Sequence, residues 1–132
     1  MEKSIDFYVN GLGLERAFTI SVNGKPAIEF IRVADYQFIE LFYKKTDREY
    51  SNENNSFMHI SIDVEDCIKY AKEIEDRGYT LMSQPQMGID GNYQFWIADP
   101  DGHKFEIIQI DSNSPHHANA EVNEYKNYDY TM

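Results

Sequence analysis

The sequence predicts an α+β domain made of two related units, each with one helix and a mostly antiparallel sheet. Three observations lead to this class. Segments with strand-like alternation outnumber helical ones, the helices fall near the start of each half, and the second half repeats the first. Residues 36–42 align with residues 102–108, which places Glu40 and Glu106 at the same point of the two copies, 66 residues apart. A repeat of this length indicates a duplicated supersecondary unit.

Composition limits what such a domain can do. The chain has 132 residues, 42% of them hydrophobic and 14% aromatic, which suffices for one globular domain with a proper core. A net charge of −11 argues against a nucleic acid or an anionic membrane as partner, because both recruit clusters of Lys and Arg. The single cysteine, the absence of an apolar span and the absence of a signal segment predict a soluble cytoplasmic protein.

The first unit is predicted to cover residues 1–43. Apolar residues recur at helical spacing over residues 4–10, and Gly11 and Gly13 then end the helix. Residues 19–22 and 27–33 flank Asn23-Gly24, a pair that favours a tight hairpin turn. Residues 36–43 predict a further strand. Residues 44–56 are polar and are interpreted as the linker between the units.

The second unit is predicted to cover residues 57–110, so that residues 1–110 form one domain. It reads as strand 57–64, amphipathic helix 65–77, and strands near 80–81, 93–98 and 104–110. This order is βαβββ, and the first unit is the same without its opening strand. The predicted architecture is therefore paired βαβββ modules in a cupped sheet. Residues 111–132 are predicted to be a loosely ordered polar tail.

Three side chains are candidates for metal chemistry. Glu40 and Glu106 lie in apolar strands, where an unpaired carboxylate is costly, and His59 offers a nitrogen donor from another strand. Such a set suits Zn, Ni, Co, Mn or Fe(II). The alternative is that each glutamate faces water or pairs with Lys or Arg. His103 is interpreted as a solvated loop residue, Cys67 as a small core residue, and Trp96 as sheet packing.

With these residues in place, the chain resembles the vicinal oxygen chelate superfamily, and within it the glyoxalase I (lactoylglutathione lyase) branch. The resemblance rests on four tracts: residues 4–8 with 11–14, residues 38–41, residues 59–64, and Asp-Pro-Asp-Gly at 99–102 running into residues 105–107. It implies a divalent metal in the cup, with Glu40, His59 and Glu106 matching the second, third and fourth ligands.

The resemblance also implies a first ligand, a histidine, that the repeat would place eight residues before Met1. We therefore expect Met1 to be an internal start or the native opening strand to be lacking. Any ion would then be weakly held or absent, and the exposed strand edge favours a homodimer.

Two functions follow from the resemblance. The first is a lyase or isomerase of the glyoxalase I type, in which Glu106 is the catalytic base and the substrate is an adduct of an α-oxoaldehyde and a thiol. The alternative is a metal-free small-molecule binding module of the bleomycin-resistance type, which the acidic charge and the many aromatic residues also suit. Three matching ligand positions favour the enzyme. A dioxygenase or epimerase of the same fold ranks below both.

Overall fold

The computed structural model describes residues 1–44, 51, 53 and 56–120. Its class is the predicted α+β. The elements in chain order are helix α1 (Glu2–Asp6), a π-helical turn (Phe7–Gly11), strands β1 (Glu15–Val22), β2 (Lys25–Ala34), β3 (Gln37–Phe42) and β4 (Ile60–Asp63), helix α2 (Cys67–Asp76), strands β5 (Gln86–Met87), β6 (Tyr93–Ala98) and β7 (Lys104–Gln109), and helix α3 (Pro115–Ala118). No helix in the described part of the chain is long and apolar enough to cross a membrane.

The first unit comprises the N-terminal helical segment and an antiparallel sheet ordered β1-β2-β3. The helix predicted at 4–10 is present but widens after Asp6, because the Leu12 amide donates to the Phe7 carbonyl, five residues back. The hairpin between β1 and β2 turns at Asn23 and Gly24 with φ of 51° and 74°. Positive φ at both central residues is the requirement of a type I′ turn, which explains why Asn-Gly stands there.

The second unit has the predicted βαβββ order and a sheet ordered β4-β7-β6-β5, in which β4 runs parallel to β7. Helix α2 forms the crossover. Its N-cap is Asp66, whose side chain accepts from the Lys69 amide at 2.9 Å, and it ends before Gly78, which has φ of +90°. The prediction of a short strand at residues 80–81 is wrong, because the described chain forms that strand at Gln86–Met87, where it pairs with β6.

The internal repeat is reproduced in the strand register. Phe30 pairs with Glu40 between β2 and β3, and the residues 66 positions later, Trp96 and Glu106, pair between β6 and β7. From Ile28–Phe42 to Arg32–Phe38, the pairs between β2 and β3 match those between β6 and β7 one for one, which confirms that Glu40 and Glu106 occupy equivalent positions. Within the described residues β3 is paired with β2 alone, whereas its counterpart β7 lies between β4 and β6.

The core lies between the helices and one face of the second sheet. Alternate residues of β6 and β7, namely Phe95, Ile97, Phe105 and Ile107, are at most 1% exposed and pack with Cys67, Ala71 and Ile74 of α2 and with Phe7 and Tyr8. Full burial of one such apolar side chain contributes about 1.5–3 kcal/mol. Because strand side chains alternate, the intervening residues of β6 and β7 lie on the opposite face, where the site is found.

The beginning of the predicted tail is ordered, which corrects the expectation for residues 111–120. The Asp111 amide donates to Asn92 Oδ1 at 2.8 Å, and Ser114 caps α3. Asn92 is fully buried and its amide nitrogen also lies 3.0 Å from His116 Nδ1. These polar contacts carry no periodic signal, so the sequence pattern missed them. Residues 121–132 and most of the predicted linker lie outside the described residues.

Candidate active site

Strand register places Glu106 on the sheet face opposite to helix α2. Glu106 pairs with Trp96 on one side and with Ser61 on the other, and directly paired residues project to the same face. Its neighbours on β7, Phe105 and Ile107, are buried in the core. Glu106 therefore has its carboxylate on the outer face with a rigid, buried strand behind it.

His59 lies beside Glu106. Its Nε2 is 3.9 Å from Glu106 Oε2, with side chains 38% and 16% exposed. The imidazole packs edge-on against the Trp96 ring, with centroids 4.8 Å apart and an interplanar angle of 83°. In this arrangement the imidazole lies between the indole of Trp96 and the carboxylate of Glu106, with Nε2 facing the carboxylate.

A pocket of about 340 Å³ opens next to this pair and is lined by Met58, His59, Met82, Ser83, Trp96 and Lys104. Its walls are fixed to the sheet: the Met82 amide donates to the Trp96 carbonyl at 2.7 Å, and the Trp96 amide donates to Ser83 Oγ at 3.1 Å. The interpretation of Trp96 as mere sheet packing was therefore incomplete, since its ring contacts His59 and lines the pocket.

Glu40 lies elsewhere. It is exposed on β3 and lines a separate cavity of about 590 Å³, together with Tyr8, Phe42 and Asp101. Its strand belongs to the first sheet, whereas Glu106 belongs to the second and His59 immediately precedes that sheet's β4. The structure thus brings His59 and Glu106 together and leaves Glu40 apart from them.

The larger cavity borders a polar cluster that sequence reasoning missed. Within the described residues, Asp99, Asp101 and His103 are the one set of three ligand-type side chains whose donor atoms all lie within 4.8 Å of one another. Asp99 accepts from the Tyr8 hydroxyl at 2.7 Å and from the amides of Asp101 and His103. His103 is half-buried with Nδ1 3.0 Å from Asp99, not a solvated loop residue. These bonds shape the Asp-Pro-Asp-Gly turn, and burial together with Asp99 raises the pKa of Tyr8.

A second charged network stabilises the first sheet. Glu29 is fully buried, and its carboxylate accepts from Arg16 at 2.6 Å, Thr19 at 2.7 Å and Tyr43 at 3.1 Å. The Arg16 hydrogen bond, opposed by burial and aided by the other two donors, lowers the pKa of Glu29 to about 2. Its counterpart in the repeat is Phe95, a core residue. The first sheet therefore contains an ion pair where the second has an aromatic ring.

The His59–Glu106 pair fits part of a divalent metal site. Two donors at about 2.1 Å from a tetrahedral ion lie about 3.4 Å apart, so the observed 3.9 Å requires only a small adjustment. One imidazole and one carboxylate suit the borderline ions named above. Glu40 does not contribute within this chain as the sheets are placed.

Comparison with known proteins decides the family. The family model described as "Glyoxalase/Bleomycin resistance protein/Dioxygenase superfamily" matches residues 1–107. The chain belongs to this superfamily.

Individual members of the superfamily similar to this chain differ in their chemistry. A probable lactoylglutathione lyase of Synechocystis sp. is 28% identical over 117 residues, covering 85% of this chain and 88% of the relative. A probable trivalent organoarsenical cleaving enzyme of Bacillus subtilis is 27% identical over 118 residues, covering 86% and 75%. Among solved structures, a superfamily member from Sphaerobacter thermophilus has a TM-score of 0.62 and 25% identity, covering 83% and 87%. Superfamily membership alone therefore leaves the reaction open.

Proposed function

We propose that this superfamily member is a metal-dependent lyase or isomerase of the glyoxalase I type, acting on the adduct of an α-oxoaldehyde and a thiol. The observation that carries the proposal is the approach of His59 Nε2 to Glu106 Oε2 at 3.9 Å, on a rigid sheet face beside a pocket of small-molecule size. The similarity to a probable lactoylglutathione lyase supports the same class of reaction.

The proposed chemistry moves one hydrogen between adjacent carbons. A bound divalent ion supplies Lewis-acid polarisation of the substrate oxygen. Glu106 removes the proton from the carbon that bears the sulfur and returns it to the neighbouring carbonyl carbon, while the hydroxyl proton passes to the other oxygen. The hemithioacetal becomes a hydroxyacyl thioester with no net oxidation. His59 acts as a ligand, and Trp96 keeps water from one side of the pair.

Glu40 enters this proposal through a second copy of the chain. Glu40 is exposed, and Phe18, Phe38 and Phe42 near it are exposed as well. Face-to-face association of two copies would cover this apolar surface and could bring Glu40 of one copy to the metal pair of the other. A mixture of Glu40→Gln and Glu106→Gln chains tests this, because mixed dimers would then regain one intact site while each variant alone stays inactive.

The proposal is tested by a methylglyoxal-plus-thiol assay on metal-loaded protein. Glu106→Gln should retain the fold and lose turnover by at least about a hundredfold, because an amide cannot accept the proton. Glu73→Gln, a change on the exposed face of α2, is the matched control and should keep full activity. Equal turnover in both variants would refute Glu106 as the base.

The second candidate function is a metal-free binding module. The observation that favours it is the separation of Glu40 from His59 and Glu106, which leaves two of the three predicted ligands at one place. If the protein is such a binding module, we expect it to bind its ligand without a metal and to show no turnover. Metal analysis of the purified protein, followed by the same assay, distinguishes the two functions.

A further inference from the structure

Lys104 contributes a positively charged side chain to the pocket beside His59 and Glu106. Lys104 pairs with Ala98 and stands two residues from Glu106 on the same strand, so both project to the face that carries Trp96. Its side chain lines the pocket and is partly buried. In this strongly acidic chain, no carboxylate of the described residues lies within ion-pair distance of the Lys104 ammonium, although several other Lys and Arg residues have such a partner.

Apart from His59 and Ser83, the remaining walls of the pocket are apolar. Met58 and Met82 flank Trp96, and both are more than half exposed in spite of being large hydrophobic side chains. Thioether side chains adapt to ligands of different shape and pack well against aromatic rings. A mainly apolar pocket lined by one lysine that has no carboxylate partner among the described residues fits a molecule with an apolar body and one negative charge.

We infer that this pocket binds small organic carboxylates with an apolar body, the carboxylate at Lys104 and the body along Trp96 between the two methionines. The inference goes beyond the proposed function, because it concerns ligand binding at this pocket and not the reaction. Binding itself requires no metal.

The repeat supports a specific role for Lys104. The register position of the Ala98–Lys104 pair is held by Arg32 and Phe38 in the first sheet. There the cation is engaged: the Arg32 guanidinium lies 5.3 Å from the Phe38 ring centre and donates to Glu15 at 3.0 Å. Lys104 is the counterpart of Phe38, so each unit has one cation in this pair but on opposite strands. Within the described residues, only the cation of the first unit has a carboxylate partner.

Trp96 makes the inference directly testable, because it is the only tryptophan of the chain and reports on this pocket alone. The probes are 3-phenylpropionate and 3-phenylpropan-1-ol, which share a carbon skeleton and differ in charge. In metal-free protein, indole fluorescence should respond to both, and the carboxylate should bind at least about fivefold more tightly.

Variants assign the preference to Lys104. Lys104→Gln should reduce the preference for the carboxylate to about one, and Lys104→Arg should preserve it. Lys25→Gln, an exposed lysine at the start of β2, is the matched control and should behave as wild type. The inference would be overturned by any of three results. These are no fluorescence response, equal affinity of the wild-type protein for the two probes, and a preference for the carboxylate that survives in Lys104→Gln.

The outcome is separable from that of the lyase assay. Carboxylate binding without turnover would retain the pocket and refute the proposed reaction. Turnover without a preference for the carboxylate would support the proposed reaction and refute the carboxylate-binding pocket.

Discussion

Replacing Glu29 by Gln should destabilise the protein at neutral pH and have little effect in acid. The carboxylate is fully buried and accepts three hydrogen bonds, one of them from the Arg16 guanidinium. Glutamine keeps the shape but loses the charge, and its amide nitrogen must oppose at least one donor. A buried donor left without its acceptor costs about 1–3 kcal/mol.

The size of the effect follows from the pKa of Glu29. A fall of this pKa from its ordinary value of 4.5 to about 2 corresponds to about 3 kcal/mol of stabilisation by ionisation at neutral pH. Arg16 is 50% exposed, so solvent screening reduces this toward about 1–2 kcal/mol. A carboxyl with a lowered folded pKa stabilises above its unfolded pKa. The contribution is therefore complete above about pH 5 and disappears as the pH falls toward 2.

Thermal and urea unfolding of wild type and Glu29→Gln between pH 2 and 7 measures this. At pH 7 the variant should melt roughly 5–10 °C lower, and the two curves should converge near pH 2. Glu15→Gln, which removes the exposed Arg32 pair, is the control and should change the free energy of unfolding by less than about 0.5 kcal/mol. A deficit in Glu29→Gln that is independent of pH would refute the assignment of the stabilisation to the ionised carboxylate.

Two further predictions concern buried groups near the core. Tyr8→Phe should lower the free energy of unfolding by about 1.5–3 kcal/mol, because it removes the hydroxyl that donates to the nearly buried Asp99 carboxylate. Urea unfolding measures this change, and an unchanged unfolding midpoint would contradict the role of the bond. Cys67 is fully buried, and burial, followed by the charge of Asp66, raises the pKa of its thiol to about 11. The Cys67 thiol should therefore resist a thiol reagent at pH 8 in native protein and react once per chain in denaturant. Rapid labelling of the native protein would contradict the burial of Cys67 in helix α2.

Local chemistry explains why much of the fold could be predicted. Asn23-Gly24 specifies a turn that few other pairs allow, and Asp66 and Gly78 bound helix α2 through a cap and a left-handed residue. The equivalence of Glu40 and Glu106 could be read from the repeat because duplicated units retain the same strand register.

Contacts between distant segments explain most of what could not be predicted. The order of residues 111–120 depends on Asn92, and the turn that contains Asp99 depends on Tyr8, 91 residues away. The proximity of His59 and Glu106 was expected from the resemblance, but the placement of Glu40 depends on how two sheets pack, which no local pattern encodes. The pocket of Met58, Met82 and Lys104 has the same origin, since its walls come from three separate segments.

The most direct test of the account is where a divalent ion binds. Titration with Co(II), followed by its visible absorption, should give a site whose affinity falls at least about tenfold in both His59→Gln and Glu106→Gln. His103→Gln, which alters the Asp99–Asp101–His103 cluster, should leave that affinity unchanged. Loss of binding in His103→Gln with retention in the other two variants would place the ion at the turn and contradict the central claim that His59 and Glu106 form the metal centre.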